Sequence, residues 1–206
     1  MKETRRAIVL NGPPGSGKDT IANMLEVLGF THRSFKHELY KQTLAYYNMT
    51  EPDAKHVAMI HLTDRNLKEL PFMFFEGATP REALIHVSEN IIKPKYGDDF
   101  FGRAAARSCS NGGDVKTVFS DGGFGSEIEP LLKHFNEVWI WRLRRDGYTF
   151  DGDSRKYINP QDVPQKDVYI RDLLLHEGRP ELAVTSIFRN DILAGDLLPE
   201  DFERPL

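Results

Sequence analysis

The stretch that most constrains this chain lies near its start: Asn11-Gly12-Pro13-Pro14-Gly15-Ser16-Gly17-Lys18-Asp19-Thr20. An apolar run, Ala7-Ile8-Val9-Leu10, precedes it. A helical pattern follows, with Ile21, Met24, Leu25 and Leu28 on one face. Strand, glycine loop, lysine and helix in that order form the context of a phosphate-binding loop. Gly12, Gly15 and Gly17 admit dihedrals that side chains forbid. Successive N–H groups can then turn inward and make a concave nest for phosphate oxygens. The helix starting near Lys18 adds unpaired N–H groups and the positive end of its dipole. Lys18 supplies a point charge for the outer phosphates. The usual pattern has Ser or Thr directly after the lysine, as a magnesium ligand. Here that place holds Asp19, with Thr20 next. A carboxylate can serve magnesium directly or through water, so the departure is compatible with metal.

The 206 residues fit one domain with a real core, with room for a mobile insertion. A net charge of −4 and a pI near 6.0 give no sign of a nucleic-acid surface. One cysteine, Cys109, excludes an internal disulfide framework and fits a reducing compartment. No apolar run reaches membrane-spanning length, and MKETRRAIVL lacks a signal-peptide core. The expected location is therefore the cytoplasm.

Further along, Gly29 ends the first helix, and residues 34–47 read as a second. Residues 53–76 carry short helical patterns, and their Phe72, Phe74 and Phe75 read as core. Thr79-Pro80-Arg81-Glu82 is a helix start: Thr79 caps, Pro80 takes the first position and Glu82 closes a capping box. That helix is expected to stop near Ile92, before Pro94. Another follows to about Ser108. Residues 116–120 and 137–143 read as strands, with a helix capped by Ser126 between them. Residues 144–165 form a long charged loop, of the kind that is functional or disordered in compact domains. A helix is expected over 167–176 and a last strand over 182–188, before Asn190-Asp191 and an extended acidic tail.

Alternating strands and helices predict an α/β/α three-layer fold around a mainly parallel, five-stranded sheet. Ligands bind beyond the carboxyl ends of such strands. That rule gathers residues 12–20, Asp121, Arg142 to Arg145 and Asn190-Asp191 at one edge.

Phosphoryl transfer needs charge neutralisation and positioning more than covalent chemistry. Asp121, directly after a strand, is placed for a second metal-side carboxylate. Arg142, Arg144 and Arg145 follow the Trp141 strand, and Arg155 with Lys156 come later in the long loop. Guanidinium groups grip phosphate oxygens bidentately and stay charged when water leaves. A solvated loop balanced by Asp146, Asp151 and Asp153 is the plainer alternative. Arg81, in a helix first turn, is electrostatically misplaced unless an anion binds there. Arg65 and Lys68 can serve the same anion. The seven histidines show no metal-ligand spacing, and there is no Ser/His/Asp set. His86, one turn beyond Arg81, is the histidine nearest these candidates.

With these residues in view, the chain resembles the bacteriophage deoxynucleoside monophosphate kinases, a branch of the P-loop nucleoside monophosphate kinases. The motifs that carry the resemblance are Gly15 to Thr20, Asp64-Arg65-Asn66-Leu67-Lys68-Glu69, and Thr79-Pro80-Arg81-Glu82-Ala83-Leu84. Tyr96-Gly97-Asp98-Asp99-Phe100 and Asp121, Phe124 and Glu127 add to it. Their order and spacing agree over roughly residues 7–145. The resemblance implies transfer of the γ-phosphate of ATP, with magnesium, to a (deoxy)nucleoside 5′-monophosphate for DNA precursor synthesis. It places ATP on Gly12, Pro13, Gly15, Ser16, Gly17, Lys18, Asp19 and Thr20. It places the acceptor on Phe35, Lys36, Arg65, Lys68, Arg81, His86 and Asp121, within a helical region of about 35–110. Lys18 with Arg142, Arg144 and Arg145 would carry catalysis, the arginines belonging to a mobile lid of about 144–165. Magnesium would be held by Asp19, Thr20 and Asp121. No nucleic acid or membrane partner is implied, and a homodimer is left open.

This chain departs from the family in three places. Gly123 stands where the family often has Arg, so that strand end lacks one cation. His86 and Ser88 stand where Gln and Gly are common, which changes what is offered to a base. Residues 147–157 match no lid pattern of the family. Two other readings compete: a P-loop kinase for another phosphorylated small molecule, such as an isoprenoid precursor, and a nucleotide-binding regulator without turnover.

Overall fold

A computed structural model describes residues 4–153 and 155–190, with side chains as far as residue 185. Five strands, all parallel, make one sheet: β1 Arg6–Asn11, β2 Thr31–Arg33, β3 Lys116–Gly122, β4 Glu137–Arg144 and β5 Val168–Leu174. Their order is β2-β3-β1-β4-β5, which puts β1 at the centre. Among the described residues seven α-helices accompany them: α1 Lys18–Val27, α2 Lys36–Tyr46, α3 Pro52–Thr63, α4 Pro80–Ile85, α5 Lys93–Tyr96, α6 Phe100–Gly112 and α7 Pro180–Asn190.

The central strand is buried throughout and apolar from Ala7 to Leu10, because both of its faces are covered. Period-two alternation then sorts the core into two layers. Ile8, Leu10, Trp139, Trp141 and Leu143 pack with Leu25 of α1 and Val184 of α7. Ala7, Val9, Phe119, Val138 and Ile140 pack with Ala105 and Cys109 of α6 on the other face. Helices on both sides of a parallel sheet give the expected three layers. A separate core holds the helical insert between β2 and β3: Ala58, Leu62, Phe72, Phe75 and Ala83. Phe72 and Phe75 are buried, as read from the sequence. The order reverses across β1, so a crevice opens at its carboxyl end, where the glycine loop begins.

Several elements differ from the sequence reading. Residues 168–174 are strand β5 and not helix, and residues 182–188 lie in α7 and not in a strand. β5 pairs along one side only, with β4, and its exposed Arg171 and Asp172 hide the strand alternation. Short apolar runs such as 182–188 do not separate helix from strand by period alone, and Pro180 at the first helical position was the better signal. β2 has three residues, too few to show a period. In place of the α-helix expected to start at Ser126 stand two 3₁₀ segments, Gly125–Glu127 and Glu129–Lys133. The Thr79 capping box is present. Its helix does not stop before Pro94, because a π-helical segment, His86–Ile92, leads directly into α5. Pro94 falls in the first turn of α5, where a missing N–H is tolerated. α6 runs past Ser108 to Gly112, and Gly113 closes it at φ 70. Asn190 ends α7; Asp191 and the acidic tail lie outside the described residues. Among the described residues no helix is long and apolar enough to cross a membrane.

Candidate functional site

Leaving β1, the chain turns through Gly12 to Gly17 and enters α1 at Lys18. Gly15 (φ 75) and Gly17 (φ 99) adopt the left-handed region that a nest of inward amides requires. No side chain caps the start of α1, so its first amides stay open to a ligand. Ser16 is fully buried, and its Oγ has no hydrogen-bond partner among the described residues. A buried hydroxyl without a partner is costly, and a ligand oxygen in the loop would supply one. Lys18 Nζ donates to the carbonyls of Gly12 and Pro13, both at 2.7 Å, so the ammonium is folded over its own loop. Burial, then the charges of Arg155 and Lys36, push its pKa down to about 8. Asp19 and Thr20 are exposed on α1, and Asp19 lies 3.8 Å from Arg65.

The loop after β4 covers this turn. A Cβ on Gly15 would sit 2.9 Å from Cε1 of Tyr148. Arg145 stacks over that tyrosine at 4.5 Å and donates to the Gly15 carbonyl at 3.4 Å. Arg142 and Arg144 are turned elsewhere. Both donate to Asp172 of β5, Arg142 also to Asn159, and Arg144 lies over the Tyr157 ring at 3.5 Å. Of the three arginines expected in the lid, Arg145 is the one that touches the glycine loop.

At the end of β3, Asp121 is spoken for by α2. It accepts from Ser34 Oγ at 2.6 Å and from the amides of Phe35 and Lys36, both at 3.0 Å. Its carboxylate therefore caps the start of α2 from outside the helix and fixes Lys36. Phe35 is buried and stacks on Phe119, 4.5 Å between centroids. Two residues on, Gly123 and Phe124 donate their amides to the buried carboxyl of Glu127, both at 3.2 Å. Burial, with Asp121 nearby, pushes the Glu127 pKa up to about 8. Where the sequence shows a missing cation at Gly123, the structure places Arg155: a Cβ there would meet its Cδ at 2.4 Å. Arg155 donates twice to Asp153, at 2.9 and 2.6 Å.

Across the crevice the helical insert carries Lys68 and Arg81. Arg81 grips Glu69 through Nε at 2.8 and 3.0 Å and Nη2 at 2.6 Å. Burial first, then Arg81 and Lys36, push the Lys68 pKa down. Arg65 is largely exposed. His86 is held between Tyr46 Oη and Asn90 Nδ2, each at 3.1 Å.

Sequence reasoning gave Asn11 no role beyond opening the loop. The structure makes it a fully buried clamp: its Nδ2 donates to the carbonyls of Gly122 and Lys156, and its Oδ1 accepts from Ile158. Tyr148 and Ser34 were missed as well. An asparagine directly after an apolar strand was the available signal, since a buried amide must find partners.

No family model matches the chain, and no curated protein matches it. Among solved structures, the fold is similar to an unliganded sugar kinase from Janibacter sp. HTCC2649. That match has a TM-score of 0.46 and 15% identity, over 96% of this chain and 98% of that one. So distant a likeness carries no substrate across.

Proposed function

We propose that the protein is a phosphotransferase moving the γ-phosphate of ATP to the 5′-phosphate of a (deoxy)nucleoside monophosphate. One observation carries this reading. The glycine loop has Gly15 and Gly17 in the left-handed region, the first amides of α1 uncapped and Lys18 Nζ folded over the loop carbonyls, and Lys36, Lys68, Arg81 and Arg155 add positive charge from separate elements. Arg81 and Arg155 are held by Glu69 and Asp153 in the unliganded chain, and phosphate-bearing ligands can take over those guanidinium groups.

The chemistry is compact. An oxygen of the acceptor phosphate attacks the γ-phosphorus, the bond to the β–γ bridging oxygen breaks, and its electron pair leaves on ADP. A phosphate monoester is already largely ionised near neutral pH, since its second pKa is about 6. No general base is needed. In this reading the Gly15–Lys18 amides and the Lys18 ammonium hold the triphosphate, while Arg81 and Lys68 hold the acceptor. Among the described residues no group of three acidic, His or Cys side chains could hold a metal. Magnesium fits here in the manner of sites that bind it mainly through substrate phosphates. Asp19 and Thr20, both exposed, would hold it, and it would neutralise charge on the phosphates.

The test is ADP release from ATP with a panel of nucleoside and deoxynucleoside monophosphates, plus phosphorylated isoprenoid precursors. Release above the ATP-only background with a nucleotide acceptor is expected. Release only with another phosphorylated compound would change the acceptor class. No release with any of them would retire the enzyme reading.

A further inference from the structure

Gly123 and Arg155 are thirty-two positions apart in sequence and occupy one space. The stem of Arg155 crosses Gly123 so closely that a Cβ would lie 2.4, 2.6 and 3.2 Å from its Cδ, Cγ and Cβ. Gly123 has no positive φ, so its backbone does not demand glycine. What demands it is the room Arg155 takes. The segment just beyond Arg155 is pinned from the glycine loop's own strand, because Asn11 holds Lys156 and Ile158. Arg155 is thus delivered to a fixed place beside the phosphate-binding turn.

Its charge is largely shielded from solvent there. The Arg155 side chain is 16% exposed and that of Asp153 is 9% exposed. The two make a fork-on-carboxylate pair, the geometry a guanidinium also makes with phosphate. Around this pair lie Lys18, Arg81, Asp121 and Glu127, each within electrostatic reach of Arg155. Asp153 also feels Arg81. Asp153 is therefore the carboxylate that grips Arg155 directly, with Lys18 and Arg81 close by.

We propose that Arg155 is a phosphate-contacting residue, admitted by Gly123, and that Asp153 is a built-in phosphate mimic that holds its guanidinium until an anionic ligand displaces it. This rests on the phosphate-binding reading of the glycine loop. It goes further by assigning the contact to a residue of the long loop and by giving the site an internal competitor. The exchange is carboxylate for phosphate on one guanidinium, with no bond made or broken.

The experiment is calorimetric binding of inorganic tripolyphosphate, which needs no turnover, to four purified chains. Arg155→Ala should weaken binding roughly ten- to a hundredfold, as loss of a charged hydrogen-bonding pair does. Asp153→Asn should have the opposite sign and tighten binding by about three- to tenfold, since the competitor loses its charge. Gly123→Ala, which displaces Arg155 without touching its chemistry, should weaken binding like Arg155→Ala. Circular dichroism melts of each variant confirm that folded protein is compared. Unchanged binding in Arg155→Ala, or weaker binding in Asp153→Asn, would overturn the proposal and leave the pair a structural bridge. A native chain that binds tripolyphosphate yet transfers phosphate to no acceptor would defeat the enzyme reading alone, with Arg155 still judged by these affinities.

Discussion

The side-chain oxygen of Asn11 accepts the main-chain N–H of Ile158 at 2.9 Å, joining the end of the central strand to the long loop 147 residues later. The same amide donates to Gly122 and Lys156. Three segments that shape the site therefore meet on one buried side chain. Asn11→Ala would remove the partner that this side chain gives the Ile158 amide and the carbonyls of Gly122 and Lys156. The expected cost is about 1–3 kcal/mol of stability, measured by urea unfolding. Cleavage within residues 144–158 by a nonspecific protease should rise in parallel. Unchanged unfolding and unchanged cleavage would show that water replaces the clamp.

The local grammar of the glycine loop was fully legible, because φ-permissive residues, a strand before and a helix after are all encoded within a few positions. So was the Thr79 capping box, a contact between residues three apart. What could not be read depends on distant segments. Asp121 looks like a metal-side carboxylate in sequence, but its three hydrogen bonds are decided by where α2 docks. Gly123 looks like a lost cation until Arg155 is seen beside it. β5 was obscured because an edge strand half open to solvent carries charges where a buried one would alternate.

Arg81 is the clearest handle on the acceptor. It sits in the first turn of α4, and Glu69 neutralises it in the unliganded chain. Arg81→Ala should raise the acceptor KM by roughly ten- to a hundredfold, with less than about threefold effect on ATP. Steady-state kinetics with each substrate varied in turn separates the two. Equal losses on both would move Arg81 out of the acceptor subsite.

Glu127 makes stability depend on pH in a defined direction. Its pKa is about 8 in the folded chain against 4.5 for a free glutamate. Between those values the folded state holds a proton that the unfolded state has lost. The stabilising contribution is full below about pH 4.5 and fades as pH rises through 8. Glu127→Gln keeps an oxygen for the amides of Gly123 and Phe124 and removes the titration. The variant should gain stability relative to the native chain as pH goes from 5 to 9, read from urea midpoints. Parallel pH curves for the two would show that Glu127 titrates normally.

Lys18 gives the sharpest test because its two states lead opposite ways. In the unliganded chain, burial and the charges of Arg155 and Lys36 bring its pKa to about 8 from 10.5. Across that window the unfolded state binds more protons, so this group's penalty on the fold is relieved as pH rises from 8 to 10.5. Ligand binding runs the other way. Phosphate oxygens favour the charged ammonium, so binding above pH 8 must take up a proton. Affinity for ATP should hold steady from pH 7 to 8 and then fall as pH climbs toward 10. Calorimetry in buffers of different ionisation enthalpy reads the proton uptake directly. Lys18→Met should bind ATP weakly, lose most of that pH dependence, and reduce turnover by several powers of ten. If the variant keeps near-native turnover, the ammonium is not on the phosphates and the loop's assignment fails. If native affinity is flat to pH 10, the ammonium stays on the Gly12 and Pro13 carbonyls in the complex as it does without ligand.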